Sequence, residues 1–151
     1  MVVYRVSKTT FAKDLTGEGS RLFGGRWNHK FTACIYTSES RALALLEYTV
    51  NVNINNIPKL LSITSFNIPD DSIVQIKEKD LPVNWQDSPI PTSTKDFGTN
   101  LIKHQNTFII KIPSCILPEE FNYLINPANN LINTVTIIDL KEFVYDPRLK
   151  E

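Results

Sequence analysis

Strand-like segments outnumber helix-like segments along this chain, and the two kinds do not alternate regularly. β-Branched, aromatic and alternating apolar residues predict strands over residues 2–6, 33–36, 60–66, 73–76, 107–112, 134–140 and 142–145. Helix-forming residues predict helices over residues 39–51 and 94–104. Ser38 is expected to cap the first helix, and Gly98 to interrupt the second. Because a doubly wound parallel sheet needs regular alternation of strands and helices, this order predicts a mixed α+β fold instead.

The size and charge of the chain exclude several functional classes. With 151 residues and no repeat or low-complexity tract, it is expected to form one domain over residues 1–151 with its own hydrophobic core. Sixteen Lys and Arg balance sixteen Asp and Glu, so direct nucleic-acid binding and attraction to an anionic membrane are not expected. No apolar run approaches the length of a membrane span, and we therefore expect a cytoplasmic protein.

Four of the five glycines lie within nine positions, at Gly17, Gly19, Gly24 and Gly25. Glycine is used where the backbone takes positive φ or approaches another group closely, so this concentration indicates a shaped loop. The loop is the first place to expect a ligand. It lacks the complete G-x-G-x-x-G and G-x-x-x-x-G-K-[ST] nucleotide motifs, and the chain has no G-x-S-x-G elbow of a serine hydrolase.

The cysteines and histidines do not predict a metal centre. Cys34 and Cys115 each lie in an apolar stretch outside any C-x-x-C pair, and we expect both to be buried thiols. His29 and His104 stand apart from any metal-ligand spacing. No metal and no cofactor is therefore expected.

Polar residues next to the predicted elements are candidates for chemistry. Arg26 follows two glycines and is suited to bind a phosphate or carboxylate through two parallel hydrogen bonds, and Tyr36 is suited to stack on a flat ring. Glu47 lies at the edge of the helix face predicted from Ala42, Leu43, Leu46 and Val50, where a carboxylate needs a cation or hydrogen-bond donor beside it. Ser114 follows a later strand. Simpler alternatives stay open: a surface ion pair for Arg26, a core tyrosine, and an exposed helix glutamate.

Linked motifs cover almost the whole chain. In the N-terminal half they are Tyr4-Arg5-Val6, Gly17-Glu18-Gly19, Gly24-Gly25-Arg26-Trp27-Asn28, Ile35-Tyr36-Thr37-Ser38-Glu39-Ser40 and Ala42-Leu43-Ala44-Leu45-Leu46-Glu47. In the C-terminal half they are Leu81-Pro82-Val83-Asn84-Trp85, Ile112-Pro113-Ser114, Glu120-Phe121-Asn122-Tyr123-Leu124-Ile125-Asn126-Pro127 and Phe143-Val144-Tyr145-Asp146-Pro147-Arg148-Leu149. In order and spacing they resemble the RES domain family. The arginine, glutamate and serine that name the family fall on Arg26, Glu47 and Ser114, whereas a histidine common after its Asn-Pro pair is absent here.

The resemblance implies an ADP-ribosyltransferase-like fold, a compact domain with a split β core, flanking helices and an NAD+ cleft. It implies the toxin of a type II toxin–antitoxin system, held in a hetero-oligomer by an Xre-type helix-turn-helix antitoxin that occludes the active site. The activity it implies is NAD+ degradation by phosphorolysis or hydrolysis, with inorganic phosphate as a possible co-substrate and growth arrest as the result.

The resemblance also suggests residue roles. Glu47 is expected to hydrogen-bond the ribose and face the positive charge that develops on it. Arg26 is expected to hold the pyrophosphate or the nearby ribose, and Tyr36 to stack on the nicotinamide. Ser114 is expected to hydrogen-bond the nicotinamide or its ribose. Weaker candidates for the NAD+ site are Asn122, Gly25 and Arg5. Two alternatives remain: a protein ADP-ribosyltransferase, and a catalytically inactive antitoxin-binding module.

Overall fold

A computed structural model describes residues 1–150. Its strands are β1 (Val2–Lys8), β2 (Ile35–Ser38), β3 (Leu60–Asn67), β4 (Ile73–Gln75), β5 (Ile109–Pro113), β6 (Phe121–Ile125) and β7 (Thr136–Val144). Its helices are α1 (Glu18–Phe23), α2 (Arg41–Asn51) and α3 (Thr92–Thr99). Short 3₁₀ turns join several of these elements. None of the helices in residues 1–150 is both long enough and apolar enough to span a membrane.

The strands form one seven-stranded sheet in the order β4-β5-β6-β2-β1-β3-β7. Every neighbouring pair is antiparallel except β4 and β5. β1 pairs with β3 along its whole length but meets β2 at one register position, Tyr4 opposite Ser38. The sheet is therefore two half-sheets joined at a single point, which confirms the predicted α+β class and its split core.

The boundary between β2 and α2 differs from the sequence-based expectation. β2 begins and ends two residues later than predicted, so Ser38 is its last residue and is buried inside the sheet. Ser40 caps α2 instead, because its Oγ accepts a hydrogen bond from the backbone N–H of Leu43 at 3.0 Å. The prediction that Ser38 caps the helix is wrong, and its hydroxyl is free for another partner.

The buried face of α2 also differs in part from the predicted stripe. Leu43, Ala44 and Thr49 are buried, whereas Ala42 and Val50 are exposed. Thr49 fits in the interface because its hydroxyl donates to the Leu45 carbonyl at 2.8 Å within the helix. α2 packs through this face on the half-sheet of β1 and β3.

Two other predicted elements change. The last two predicted strands are one strand, β7, because its charged residues are tolerated at the edge of the sheet. The helix predicted over residues 94–104 is α3 followed by a π-helical turn over Asn100–His104, and Gly98 does not interrupt it. A side chain at Gly98 would overlap the Trp27 carbonyl oxygen and lie 2.7 Å from the carbonyl carbon. The lack of a side chain at Gly98 therefore allows α3 to pack directly against the backbone of Trp27.

The hydrophobic core lies on both faces of the sheet. On one face of the half-sheet of β2, β5 and β6, Trp85 stacks on Trp27 and Phe97 meets Trp27 edge to face, with ring centroids 6.1 Å apart in each pair. α2 covers the same face of the other half-sheet. The opposite face carries a separate cluster around Phe66 and Ile125. On the face that α2 covers, the gap between the half-sheets therefore lies beside this helix.

We expect Gly98→Ala to lower the free energy of unfolding by about 1–3 kcal/mol, because the added methyl group displaces the Trp27 backbone and its aromatic contacts. Gly19→Ala is the matched control, since nothing lies within 4 Å of the ideal Cβ of Gly19. That helical substitution is expected to be neutral or slightly stabilising. Urea unfolding followed by circular dichroism measures both, and equal stability of the two variants would contradict the close approach.

Candidate active site

The Glu47 carboxylate is held by two neutral donors at the divide between the half-sheets. It is half-buried on α2, and its Oε1 accepts hydrogen bonds from Ser114 Oγ at 2.8 Å and Asn122 Nδ2 at 2.6 Å. Oε2 accepts none from residues 1–150, and no cation of those residues forms a salt bridge with Glu47. The carboxylate is thus fixed through one oxygen while the other is free to accept.

Ser114 follows β5 and is fully buried. Its Oγ accepts from the backbone N–H groups of Ile116 at 3.1 Å and Leu117 at 3.3 Å. A hydroxyl has one proton to donate, and these contacts leave it directed to Glu47. Ser114 is therefore placed to orient the glutamate, whereas the expectation from the resemblance gave its hydrogen bond to the nicotinamide or its ribose.

Asn122 contacts Glu47 from β6. Its position opposite Ser38 in the β2–β6 register sets the side chain on the same face as that serine. Asn122 Oδ1 accepts from Ser38 Oγ at 2.7 Å while Nδ2 donates to Glu47. Asn122, a weaker candidate for the NAD+ site, thus lies beside the carboxylate.

Arg26 is half-buried and binds backbone rather than a carboxylate. Its Nη1 donates to the carbonyl oxygens of Trp85 at 2.7 Å and Asp87 at 3.1 Å. No salt bridge within residues 1–150 involves Arg26, so the alternative of a surface ion pair is wrong. Nε and Nη2 keep their N–H groups available for a ligand.

The thiol of Cys115 lies within electrostatic range of both Arg26 and Glu47. Burial raises its pKa, the Arg26 charge opposes that rise, and the Glu47 charge adds to it. Gln86 Nε2 donates to the Cys115 carbonyl at 3.4 Å, which joins the segment that Arg26 binds to the segment of Ser114, the donor to Glu47. Hydrogen bonds thus bring Arg26 and Glu47 to the same region although 21 positions separate them. Cys115 is only half-buried, so the prediction of a buried thiol is confirmed for Cys34 and wrong for Cys115.

Tyr36 is half-buried on β2, and its hydroxyl both donates and accepts a hydrogen bond. It donates to Asn28 Oδ1 at 2.5 Å and accepts from the backbone N–H of Trp27 at 3.1 Å. Burial raises the pKa of this hydroxyl. Tyr36 therefore holds the loop that carries Arg26, while its ring packs against the tryptophan cluster.

Asn28 is the residue of this site that the sequence analysis did not single out. It is completely buried, and its Nδ2 donates at 2.9 Å to the carbonyl oxygens of both Ser20 and Thr32. Gly25 belongs to the same arrangement, because a Cβ there would lie 2.6 Å from the Tyr36 hydroxyl. The absence of a side chain at Gly25 thus allows the Tyr36 hydroxyl to lie close to the backbone. The sequence signal for Asn28 is its position directly after Arg26 and Trp27 in the glycine-rich loop.

Arg5 is not brought to Glu47. It follows Tyr4 on β1 and so points to the opposite face of the sheet. There its guanidinium lies 4.9 Å from the centre of the Phe66 ring and donates to the carbonyls of Phe11 at 3.1 Å and Ala12 at 3.0 Å. Burial lowers its pKa. The expectation that Arg5 lines the same cleft is not met, because these contacts pin it beneath the sheet.

A cavity of about 550 Å³ lies elsewhere, lined by Leu15, Thr16, Ala33, Pro127, Ala128, Ile132, Asn133 and Val135. It contains none of the candidate residues and no titratable group. Within residues 1–150 no group of three or more His, Cys, Asp or Glu side chains is arranged to hold a metal ion. The candidate residues therefore lie outside this cavity.

Comparisons with known proteins agree with this fold. A sequence model of the RES domain matches residues 2–146. "Toxin Res" of Yersinia enterocolitica serotype O:8 is 34% identical over 99% of this chain and 100% of its own length, and "Prs ADP-ribosylating toxin" of Sphingobium sp. strain YBL2 is 34% identical over 95% and 91%. A chain in the crystal structure of the M. tuberculosis MbcT–MbcA toxin–antitoxin complex is 14% identical, with a TM-score of 0.76 over 98% of this chain and 85% of that one.

We expect Tyr36→Phe to lower the free energy of unfolding by about 1–3 kcal/mol, because it leaves Asn28 Oδ1 and the Trp27 N–H without their partner. Tyr48→Phe is the matched control, since the Tyr48 hydroxyl is buried without a hydrogen-bond partner in residues 1–150. That change is expected to be neutral or stabilising. Urea denaturation tests the pair, and a Tyr36→Phe protein as stable as Tyr48→Phe would overturn the role of the hydroxyl.

Proposed function

The chain belongs to the RES domain family, and we propose that it is the toxin of a toxin–antitoxin pair that breaks the nicotinamide N-glycosidic bond of NAD+. The toxin names of two relatives, each 34% identical and covering nearly their full length, support the first part. The arrangement of Glu47 supports the second, since one oxygen is held by neutral donors and the other is free.

The chemistry demands a negative charge that is positioned and not neutralised. When the bond between the ribose C1 and the nicotinamide nitrogen breaks, its electron pair leaves with nicotinamide and positive charge develops on the ribose ring. A carboxylate fixed before the reaction lowers the free energy of that state without reorganising. Ser114 and Asn122 fix Glu47 without cancelling its charge, and we assign Oε2 to the ribose.

The other residues bind the rest of the substrate. The N–H groups of Arg26 that are not used by backbone carbonyls suit the pyrophosphate of NAD+. We assign the Tyr36 ring to the nicotinamide, as the resemblance implies, with its hydroxyl already committed to Asn28. Gly25 precedes Arg26 and lies against the Tyr36 hydroxyl, so we assign its backbone to the same substrate. Inorganic phosphate or water then adds to the ribose C1 and loses a proton, giving a phosphorylated or free ADP-ribose.

A protein acceptor is the second candidate function. The relative named "Prs ADP-ribosylating toxin" favours it, because transfer to a protein shares the bond-breaking step and differs only in the group that adds to C1. A catalytically inactive binding module is the remaining alternative. The intact contacts of Glu47 with Ser114 and Asn122 argue against that alternative, since a binding module has no need of them.

We also propose an antitoxin partner of the Xre helix-turn-helix type that covers the site in a hetero-oligomer. A supporting observation is the exposure of the two aromatic side chains that flank Arg26 in the sequence, Phe23 at 77% and Phe31 at 80%. Such apolar side chains are typical of protein interfaces. A partner that buries them covers the loop that presents Arg26.

Glu47→Gln is expected to reduce NAD+ consumption by about 10²- to 10³-fold, because it removes the charge that faces the ribose. Folding is expected to survive, since the glutamine oxygen still accepts from Ser114 and Asn122. The measurement is NAD+ loss by purified protein whose fold is checked by circular dichroism. Glu39→Gln, eight residues earlier and without these donors, is the control and is expected to turn over as the wild type. Wild-type turnover by folded Glu47→Gln protein removes Glu47 from the mechanism.

The products of the reaction identify the group that adds to the ribose C1. Purified antitoxin-free protein is incubated with NAD+ with and without inorganic phosphate, and nicotinamide, ADP-ribose and phosphorylated ADP-ribose are separated. Loss that depends on phosphate indicates a phosphorylase, and ADP-ribose formed without phosphate indicates a glycohydrolase. If folded protein leaves NAD+ intact in both buffers but transfers ADP-ribose from NAD+ to a protein when a cell extract is added, the transferase function is correct instead.

A further inference from the structure

Ser38 has a buried hydroxyl that none of the proposed chemistry uses. It is 3% exposed and lies at the end of β2, opposite Tyr4, where the two half-sheets meet. Its Oγ donates to Asn122 Oδ1 at 2.7 Å. Asn122 in turn donates to Glu47 at 2.6 Å. A chain of hydrogen bonds therefore runs from the junction of the sheet to the carboxylate.

The two ends of the Asn122 amide are not equivalent for Glu47. An ionised carboxylate only accepts hydrogen bonds, so the amide nitrogen has to face it. If the amide were reversed, Oδ1 would face a carboxylate oxygen and repel it. The productive orientation leaves Oδ1 toward Ser38, and only a donor at that position is compatible with it.

The backbone does not impose this orientation. β2 and β5 flank Asn122 of β6 and fix where its side chain starts, through the pairing of Ser38 with Asn122 and of Ile112 with Asn122. The last torsion angle of asparagine is nevertheless broad and nearly twofold. A hydrogen-bond donor on the far side of the amide is needed to select one orientation, and Ser38 supplies it.

The same contacts join the two half-sheets. α2, which carries Glu47, packs on β1 and β3, with Ala44 beside Val6 and Leu61. Ser38 and Asn122 belong to the other half-sheet. The register pair of Ser38 with Tyr4 is the only backbone pairing of β1 with β2 that crosses the divide, so the hydroxyl acts where relative movement of the halves would shift Glu47.

We infer that Ser38 is a positioning residue for the reaction: it orients the Asn122 amide, which sets Glu47 for the ribose. The inference rests on the proposed function of Glu47. Ser38 itself touches no reacting atom.

Ser38→Ala is expected to lower kcat for NAD+ cleavage about 5- to 10-fold with KM changed less than twofold, because the substrate contacts of Arg26 and Tyr36 remain. Ser38→Thr, which keeps the donor, is expected to recover most of kcat. In ¹H–¹⁵N spectra the side-chain amide signals of Asn122 are expected to shift in Ser38→Ala and not in Ser38→Thr.

Thr37→Val is the matched control. Thr37 precedes Ser38 on β2, is 2% exposed, and donates to the Tyr123 carbonyl at 2.7 Å on the opposite face of the sheet. Its loss removes one buried hydroxyl and a similar amount of stability, but it is expected to leave kcat and the Asn122 signals unchanged. If Ser38→Ala does not fold, Ser38→Cys serves in its place, because it keeps the volume and donates weakly.

The outcomes separate the two proposals. Wild-type kcat and unshifted Asn122 signals in Ser38→Ala overturn the positioning role, while NAD+ cleavage by the wild type keeps the proposed function. A kcat loss equal to that of Thr37→Val also overturns it, since it then reflects stability alone. If the wild type cleaves no NAD+, the proposed function fails, and the Asn122 signals, which need no turnover, still decide whether Ser38 orients the amide.

Discussion

A carboxylate held by neutral donors at the divide of the sheet is the constraint around which the rest of the site is arranged. Partial burial of a negative charge is costly unless hydrogen bonds replace water. An arginine beside Glu47 would meet that need but cancel the charge. Ser114 and Asn122 meet it without a counter-ion, so the charge stays available for a substrate, and Ser38 keeps the second of these donors in the required orientation.

The loop that carries Arg26 depends on a second buried polar centre. Asn28 ties together the carbonyls of Ser20 and Thr32 and accepts from Tyr36, while Gly25 makes room for that hydroxyl. Fully satisfied buried networks of this kind favour one conformation over its neighbours. Arg26 is thus presented from a loop with fixed geometry, which is what positioning a large substrate requires.

Local patterns in the sequence were enough for the α+β class and for the strands of the core except β6, which they did not predict. They singled out Arg26, Tyr36, Glu47 and Ser114, whereas Asn122 came only from the family resemblance. They were not enough for contacts between segments. Ser38 was expected to be a helix cap because a serine before a helical stretch is typical of one, and only pairing with β6 shows its hydroxyl facing Asn122. Arg5 was misplaced because the face of a strand residue depends on where the neighbouring helix packs. Asn28 was not predicted, because hydrophobic periodicity does not indicate which polar residues are buried.

The charges of the site have a further consequence for the proposed substrate. The chain as a whole has no net charge, yet Arg26 and Glu47 place opposite charges around the Cys115 thiol. NAD+ carries negative charge on its pyrophosphate and positive charge on its nicotinamide ring. These two charges are complementary to those of Arg26 and Glu47, respectively. One orientation places the pyrophosphate at Arg26 and the nicotinamide ribose at Glu47, and the reverse sets like charges together. We therefore expect the pair to favour the first orientation if NAD+ is the substrate, as proposed.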